Sequence, residues 1–323
     1  MNRPLDSTMG NVNVRARQSA TTSGSKGAMA KALARSHYKC NQRLRAIKEK
    51  VFYGLISLAT ASALVLLCVL LYRVFQQGID WLSPHFLENY PSRFPQKAGI
   101  KSAIWGSIWI GGITLISSTV FGIGAAIYLE ELAPKNRLNK FLEVNISTLA
   151  GVPSIIYGML GLAVFVRFLA LERSVITGAL TLSLLVMPII IIASREAIRT
   201  VPKSVRLGAY ALGATRWQVV RHHVIPSALP GIMTGVILAM ARAIGEAAPL
   251  IMIGALTFIA FTPESIFDPF TALPIQIFNW TSRPQEEFHG LAAAGIIVLL
   301  GFLLLCNSLA IVLRLKWKRG KRP

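Results

Sequence analysis

Apolar residues occur along this chain in six uninterrupted blocks. The blocks cover residues 51–75, 104–129, 146–169, 174–194, 228–260 and 290–314. Each block holds about 20 residues or more, the length that an α-helix needs to cross the hydrocarbon core of a bilayer. The pattern therefore predicts an all-α integral membrane protein with six transmembrane helices. The fifth block is longer than a span requires, which indicates tilt or a break where it carries charge.

The residues before the first block have a different character. Residues 1–46 are rich in Ser, Thr, Gly, Ala, Lys and Arg and contain almost no aliphatic clusters. Such a composition buries too little apolar surface to offset the entropy lost on ordering. We therefore predict a disordered basic cytoplasmic tail over residues 1–50 and a six-helix transmembrane domain over residues 51–323. The long tail and the missing A-x-A-like site argue against a cleaved secretory signal.

The distribution of charge predicts the topology. Only 15% of the residues are charged, yet the net charge is +20, which at first suggests a nucleic-acid partner. However, 26 Lys and Arg residues fall in the terminal segments and the loops 130–145 and 195–227, against six in the segments on the opposite side. The positive-inside rule then places both termini and the 195–227 loop in the cytoplasm. Topology accounts for the basic excess, and no nucleic acid is implied.

The opposite side carries one unusual loop. Residues 261–289 hold four acidic residues and one arginine, together with four prolines and several aromatic residues. Such a loop is too rigid and too apolar for a simple linker. It is either a packed cap over the helices or a gate or docking surface for a partner outside the membrane.

The first half of the cytoplasmic loop predicts a short helix. Ser204 can cap a helix over Val205–Leu212 by accepting a hydrogen bond from a free backbone N–H group. Gly213 suits the position that follows, where helices commonly end on a residue with left-handed backbone geometry.

The second half of the loop predicts another short helix. Thr215 can cap a helix that runs from Arg216 to about Val224 and is closed by Pro226. The two helices would form a compact coupling knob on the cytoplasmic side. A DNA-reading helix-turn-helix is excluded because both ends of the knob enter the bilayer within a few residues. A basic interfacial helix resting on lipid is the remaining alternative.

Two opposite charges lie inside the fifth block. Arg242 and Glu246 are four residues apart and therefore share one helix face. An ionised side chain near the bilayer centre costs about 2.5–3.5 kcal/mol, so such residues face a cavity or each other. The planar guanidinium of arginine suits phosphate oxygens, which favours a substrate-pathway role over a purely structural pair. Pro249 is expected to bend the helix immediately after the pair.

The sequence predicts no catalytic site and no metal site. Gly24-Ser25-Lys26-Gly27 lacks the Walker A spacing, so ATP hydrolysis would need another chain. The five histidines are dispersed, and the three cysteines lack metal-ligand spacing, which argues against a membrane enzyme. A stand-alone channel or secondary transporter would be favoured by several intramembrane charges or an inverted repeat, and neither is evident.

Five segments in order carry a family resemblance. They are AAIYLEE (125–131), GVPSIIYGMLG (151–161), LGATRWQVVRHHVIP (212–226), ARAIGEAAPL (241–250) and the closing CNSLAIVLR (306–314). Over roughly residues 50–320 the chain resembles the phosphate-specific permeases of the Pst system, PstA type, among the binding-protein-dependent ABC importer permeases. The resemblance implies the type I ABC importer permease fold and import of inorganic phosphate across a bacterial inner membrane. A permease for another oxyanion, or the PstC-type partner, is the alternative.

The resemblance also implies partners and a coupling site. The partners are a second permease subunit of PstC type, a dimer of ATPase subunits that holds the ATP and Mg²⁺, and an extracytoplasmic phosphate-binding protein. No cofactor would be bound by this chain. The 202–231 segment resembles the EAA loop, although its opening glutamate is replaced by Leu207. The coupling residues carried over are Arg206, Ala209, Gly213, Ala214, Thr215, Arg216, Trp217 and Pro226.

Overall fold

The computed structural model of the chain describes residues 48–134, 136–255 and 258–319. The predicted tail lies outside these residues except for 48–50, which already belong to the first helix. The chain divides into two compact units, Met1–Leu71 and Tyr72–Pro323. The described part of the first unit is helical throughout, and the candidate site residues discussed below all belong to the second unit.

The described residues form an all-α fold. The helices are α1 (Lys48–Trp81), α2 (Pro84–Glu88), α3 (Lys101–Ile127), α4 (Arg137–Leu149), α5 (Ser154–Gly161), α6 (Val175–Arg199), α7 (Lys203–Ala211), α8 (Arg216–Val219), α9 (Ile225–Gly245), α10 (Ala248–Met252), α11 (Leu273–Thr281) and α12 (Glu286–Arg319). Wider π-helical turns extend α3 over Tyr128–Leu132 and α5 over Leu162–Phe168, and another joins α8 to α9 over Val220–Val224. β-Pairing among the described residues is limited to one isolated bridge, between Ser174 and Pro269.

Among the described residues, five helical segments are long and apolar enough to cross a membrane, and the count becomes six when a bent pair of helices is taken as one span. The six predicted spans are thereby confirmed in number, but the third is not a single helix from residue 146 to residue 169. It consists of α4 and the segment Ser154–Phe168, whose axes meet at 106°. The break falls at Gly151-Val152-Pro153, because Pro153 lacks an N–H group and restricts the residue before it to extended conformations.

The fifth span is broken where it carries charge, as its excess length predicts. Helical structure runs from Arg216 to Gly245 without interruption and stops at Glu246, whose backbone is extended (φ −83°, ψ 117°). The prediction that Pro226 closes a separate short helix is wrong. Pro226 lies in the first turn of α9, just after the π-helical turn, where a missing N–H group is tolerated.

The core of the second unit is formed by α3, α6 and α9, which approach one another closely through small residues. A side chain at Gly122 would collide with Ile190 of α6, and one at Gly235 would collide with Ala193. The Thr114 hydroxyl of α3 donates to the carbonyl oxygen of Ala179 across a 3.1 Å contact. Small residues and interhelical hydrogen bonds are the means by which helices associate in a bilayer, where hydrophobic burial adds little.

The loop that follows α10 packs largely as a cap. Phe270 and Trp280 are fully buried, and the chain between them includes the start of α11. The first N–H groups of α6 are satisfied by this loop, because Val175 donates to the carbonyl oxygen of Asp268 at 3.0 Å. Of the two alternatives left open by the sequence, a packed cap describes residues 270–277, whereas Phe267 and Phe278 stay exposed.

Candidate translocation and coupling sites

Arg242 lies on the exposed side of α9. The opposite side of this helix is buried through Ala239 and Ala243, whereas Leu238 and Arg242 face away from the core of this chain. The Arg242 side chain is 49% exposed, and its Nε donates to Glu246 Oε1 at 3.3 Å. The guanidinium is therefore accessible from outside the helical core while it holds one carboxylate.

The Arg242–Glu246 ion pair lies at the end of α9 and not along a continuous helix. Sequence spacing predicts both residues on one continuous helix face, but Glu246 has already left the helix. Arg242 lies in the last turn of α9, where a cation interacts favourably with the free backbone carbonyl groups. The bend predicted at Pro249 occurs earlier in the chain. The chain turns at Glu246 and Ala247, and Pro249 belongs to the first turn of α10.

The motif segments 151–161 and 241–250 contact each other just after the points where their helices break. Gly158 of α5 packs against α10, such that a Cβ atom on Gly158 would lie 2.7 Å from Pro249 Cα. The neighbouring Tyr157 hydroxyl donates to the carbonyl oxygen of Leu149 at 2.8 Å. The bent third span and the broken fifth span are thus packed together beside the charge pair.

The first helix of the coupling knob starts differently from the prediction. Helix α7 begins at Lys203, its N-cap is Pro202, and no side chain caps it, so the predicted Ser204 cap is wrong. Pro202 fixes the entry of the chain through its own restricted backbone geometry. The predicted end is confirmed, because Gly213 has φ +81° and its N–H group donates to the carbonyl oxygen of Tyr210.

The second helix of the knob is capped as predicted. The Thr215 hydroxyl accepts from the backbone N–H group of Gln218 at 3.4 Å, and the Gln218 side chain accepts from the Thr215 N–H group at 2.8 Å. This reciprocal capping box satisfies two N–H groups that a helix start leaves free. It orients α8 and, through the π-helical turn, the whole of α9.

The knob presents an apolar surface that the sequence did not single out. We call it the coupling crest, and it consists of the exposed residues Leu207, Tyr210, Leu212 and Trp217. Leu212 at the tip is 90% exposed. Among the predicted coupling residues, Trp217 belongs to the crest and Arg216 is exposed beside it, whereas Ala209 is buried in the core. Pro226 and Ala214 are half-buried.

A cluster of ion pairs lies below the crest. Glu130, in the π-helical turn after α3, accepts from Arg195 at 3.3 Å and from Arg199 at 2.9 Å. Arg195 also donates to Glu143 of α4 at 2.6 Å. Three segments distant in sequence are joined through one carboxylate and one guanidinium. Glu130 is part of the AAIYLEE segment, but sequence alone assigned it no partner.

Arg206 points into this cluster instead of out toward a docking partner. Its Nη2 donates to Glu131 Oε1 at 2.6 Å and to the carbonyl oxygen of Ile198 at 3.0 Å. Its Nη1 donates to the carbonyl oxygen of Val201 at 2.6 Å. An open depression of about 470 Å³ lies beside it, with Lys203 and Arg216 among its lining residues.

Comparison with known proteins identifies the family of the chain. A family model described as "Binding-protein-dependent transport system inner membrane component" matches residues 118–318. The chain belongs to this family. It is 32% identical to the probable ABC transporter permease protein YqgI of Bacillus subtilis, over 82% of this chain and 95% of that protein. It is 31% identical to the phosphate transport system permease protein PstA of Pasteurella multocida, over 86% of this chain and 97% of the relative.

Solved structures confirm the fold. The MetNI methionine ABC transporter contains a chain that superposes with a TM-score of 0.57 at 16% identity, over 67% of this chain and 94% of that chain. A bacterial alginate ABC transporter in complex with a periplasmic protein contains a chain with a TM-score of 0.59 at 16% identity, over 81% of this chain and 93% of that chain. The predicted type I importer permease fold of this family member is thereby confirmed.

Proposed function

We propose that this chain is the membrane-spanning permease subunit of an ATP-driven, binding-protein-dependent importer of inorganic phosphate. The observation that carries the proposal is a match over nearly its whole helical length to proteins named phosphate transport system permease PstA. The relative from Yersinia pestis, for example, is 32% identical over 86% of this chain and 93% of its own length. The structure adds an accessible arginine beside the break in a spanning helix.

The position of Arg242 favours a pathway between two subunits. A charged group turned toward hydrocarbon costs about 2.5–3.5 kcal/mol, so an exposed guanidinium within a span requires a polar neighbour from outside this chain. A second permease subunit, of PstC type, would cover this side of α9 and enclose a water-filled conduit. Glu246 holds the guanidinium in place when no anion is present, and an arriving oxyanion accepts the remaining N–H groups.

The other partners follow from the coupling crest and from the family. An apolar surface on a cytoplasmic loop fits a groove on an ATPase subunit, and two such subunits would carry the ATP and Mg²⁺. On the opposite side, a phosphate-binding protein would deliver the anion. The 26 Lys and Arg residues assigned to one side favour a topology with both termini in the cytoplasm of a bacterial cell and with the helices in its inner membrane.

Uptake by the reconstituted complex tests the proposal. Vesicles holding both permease subunits, the ATPase dimer and the binding protein are expected to take up labelled phosphate only when ATP is present on the ATPase side. Unlabelled phosphate should compete, whereas sulfate and molybdate should not. Equal competition by sulfate would support another oxyanion instead. Phosphate movement through this chain alone, without ATP, would establish a channel.

Replacing Leu212 by aspartate is expected to weaken ATPase binding roughly hundredfold. The change removes an apolar contact at the centre of the proposed interface and buries an unpaired charge in its place. The dissociation constant between permease pairs in nanodiscs and purified ATPase subunits measures this effect. Phe267→Asp makes the same kind of change at an exposed position of the outer loop and should leave ATPase binding unchanged. Wild-type affinity in Leu212→Asp would show that the crest is not the docking surface.

A further inference from the structure

The guanidinium of Arg206 joins three separate elements. Nε and Nη2 both donate to Glu131 Oε1, at 3.1 and 2.6 Å. The other donors hold the carbonyl oxygens of Ile198 and Val201, where α6 ends. Arg206 itself belongs to α7 in the coupling knob, and Glu131 belongs to the turn that ends α3. The Arg206 side chain thus connects the knob to the end of α6 and to the end of α3.

This contact is well shielded from water. The Arg206 side chain is 19% exposed and the Glu131 side chain is 11% exposed. Hydrogen bonds between ionised groups are short and strong, and removing one partner of a buried pair leaves a charge without compensation. Lysine cannot replace this arrangement, because only the fixed fork of arginine addresses a carboxylate and two carbonyl groups together.

The two glutamates in the turn after α3 bind two different helices. Glu130 binds Arg195 and Arg199 of α6, whereas the next residue, Glu131, binds Arg206 of α7. The π-helical turn Tyr128–Leu132 is wider than an α-helical turn. The end of α3 is consequently fastened to a spanning helix by one carboxylate and to the coupling knob by the other.

The contact with Glu131 differs in kind from the contacts with α6. Three residues connect α6 to α7 along the chain, so these helices stay together whatever Arg206 does. Glu131 is 75 residues away in sequence, and the end of α3 has no such covalent tie to the knob. A displacement of the knob therefore either carries the end of α3 with it or breaks the ion pair.

We propose that Arg206 and Glu131 form the positioning link that transmits motion of the coupling knob to α3. This inference rests on the proposed function, since it needs an ATPase that moves the knob. Neither residue belongs to the coupling crest, so the link acts after docking. Loss of the link is expected to uncouple ATP hydrolysis from transport and to leave ATPase binding in place.

The decisive quantity is the number of phosphate ions imported per ATP hydrolysed by the complete reconstituted complex. Arg206→Ala and Glu131→Gln are each expected to lower this ratio about tenfold, while ATPase binding and basal hydrolysis stay near the wild-type values. The matched control is Lys203→Ala, which removes an exposed cation from the same helix and should leave the ratio unchanged. Glu131→Gln keeps the shape and one acceptor oxygen, which limits damage to folding.

A double-mutant cycle completes the test. If the two residues act as one link, Arg206→Ala combined with Glu131→Gln should lower the ratio no further than either change alone. Multiplied losses in the double variant, or an unchanged ratio in both single variants, would overturn the proposal. Failure of both single variants to assemble would also overturn it, by assigning the pair to folding. A wild-type complex that imports a different anion would refute the proposed substrate and leave the ratio measurable with that anion.

Discussion

Replacing Arg242 by alanine is expected to abolish phosphate uptake by the assembled importer and to leave its assembly intact. Charge-assisted hydrogen bonds are worth about 1.5–3 kcal/mol each, so losing two of them lowers uptake by roughly a hundredfold or more. Assembly should survive because the proposed conduit leaves this side chain facing water between the subunits, and within this chain it makes one ion pair, to Glu246 at a helix end. Radiolabelled phosphate uptake and co-purification of the subunits measure the two effects separately.

A neighbouring position provides the control. Leu238→Ala truncates a side chain one turn earlier on the same exposed side of α9 and should retain uptake. Arg242→Lys keeps the charge but loses the planar fork, so intermediate uptake is expected. Wild-type uptake in Arg242→Ala would remove this residue from the pathway. Loss of the complex in the same variant would assign the pair to assembly.

Replacing Gly158 by valine is expected to prevent stable packing of the bent third span against α10. A Cβ atom at this position would lie 2.7 Å from Pro249 Cα and 2.8 Å from the Pro249 carbonyl oxygen, and neither backbone atom can move aside cheaply. Overpacking of this kind typically costs about 1–3 kcal/mol, and contact with backbone places it at the upper end. The melting temperature of the detergent-solubilised chain should fall, together with the yield of monodisperse protein.

Gly124 serves as the matched glycine. It also lies in a spanning helix, but a Cβ atom there would meet nothing within 4 Å. Gly124→Ala should therefore leave the melting temperature unchanged or raise it slightly, since alanine is favoured over glycine inside helices by about 1 kcal/mol. Equal stability of Gly158→Val and the wild-type chain would show that α5 and α10 do not pack as described.

The number of spans could be predicted because it depends on the length of the apolar blocks. Six apolar blocks gave six spans, and the excess length of the fifth gave its break. The 106° bend of the third span was missed because apolar content does not report direction, although Pro153 marks the place. The Ser204 cap failed for a related reason, since the restricted geometry of Pro202 starts α7 earlier.

The residues of the candidate sites were likewise only partly predictable from the sequence. Arg242 and Glu246 were found because a charge inside an apolar block has a cost that requires an explanation. The Glu131–Arg206 contact spans 75 residues, and local patterns carry no information about a partner at that distance. A signal did exist in two adjacent carboxylates at the end of a span, followed in sequence by the basic residues of the 130–145 loop. Their partners became visible only in three dimensions.

The bend between α4 and the segment Ser154–Phe168 divides the third span into two short pieces. Ser154–Phe168 rises only about 22 Å at 1.5 Å per residue, against roughly 30 Å of hydrocarbon in a typical bilayer. Backbone groups left free by a break within hydrocarbon have no water to bind, so they need partners in the protein. The Tyr157 hydroxyl satisfies the Leu149 carbonyl oxygen there. The bend thereby takes, from a residue on its far side, a hydrogen bond that a straight helix would have made along its own axis.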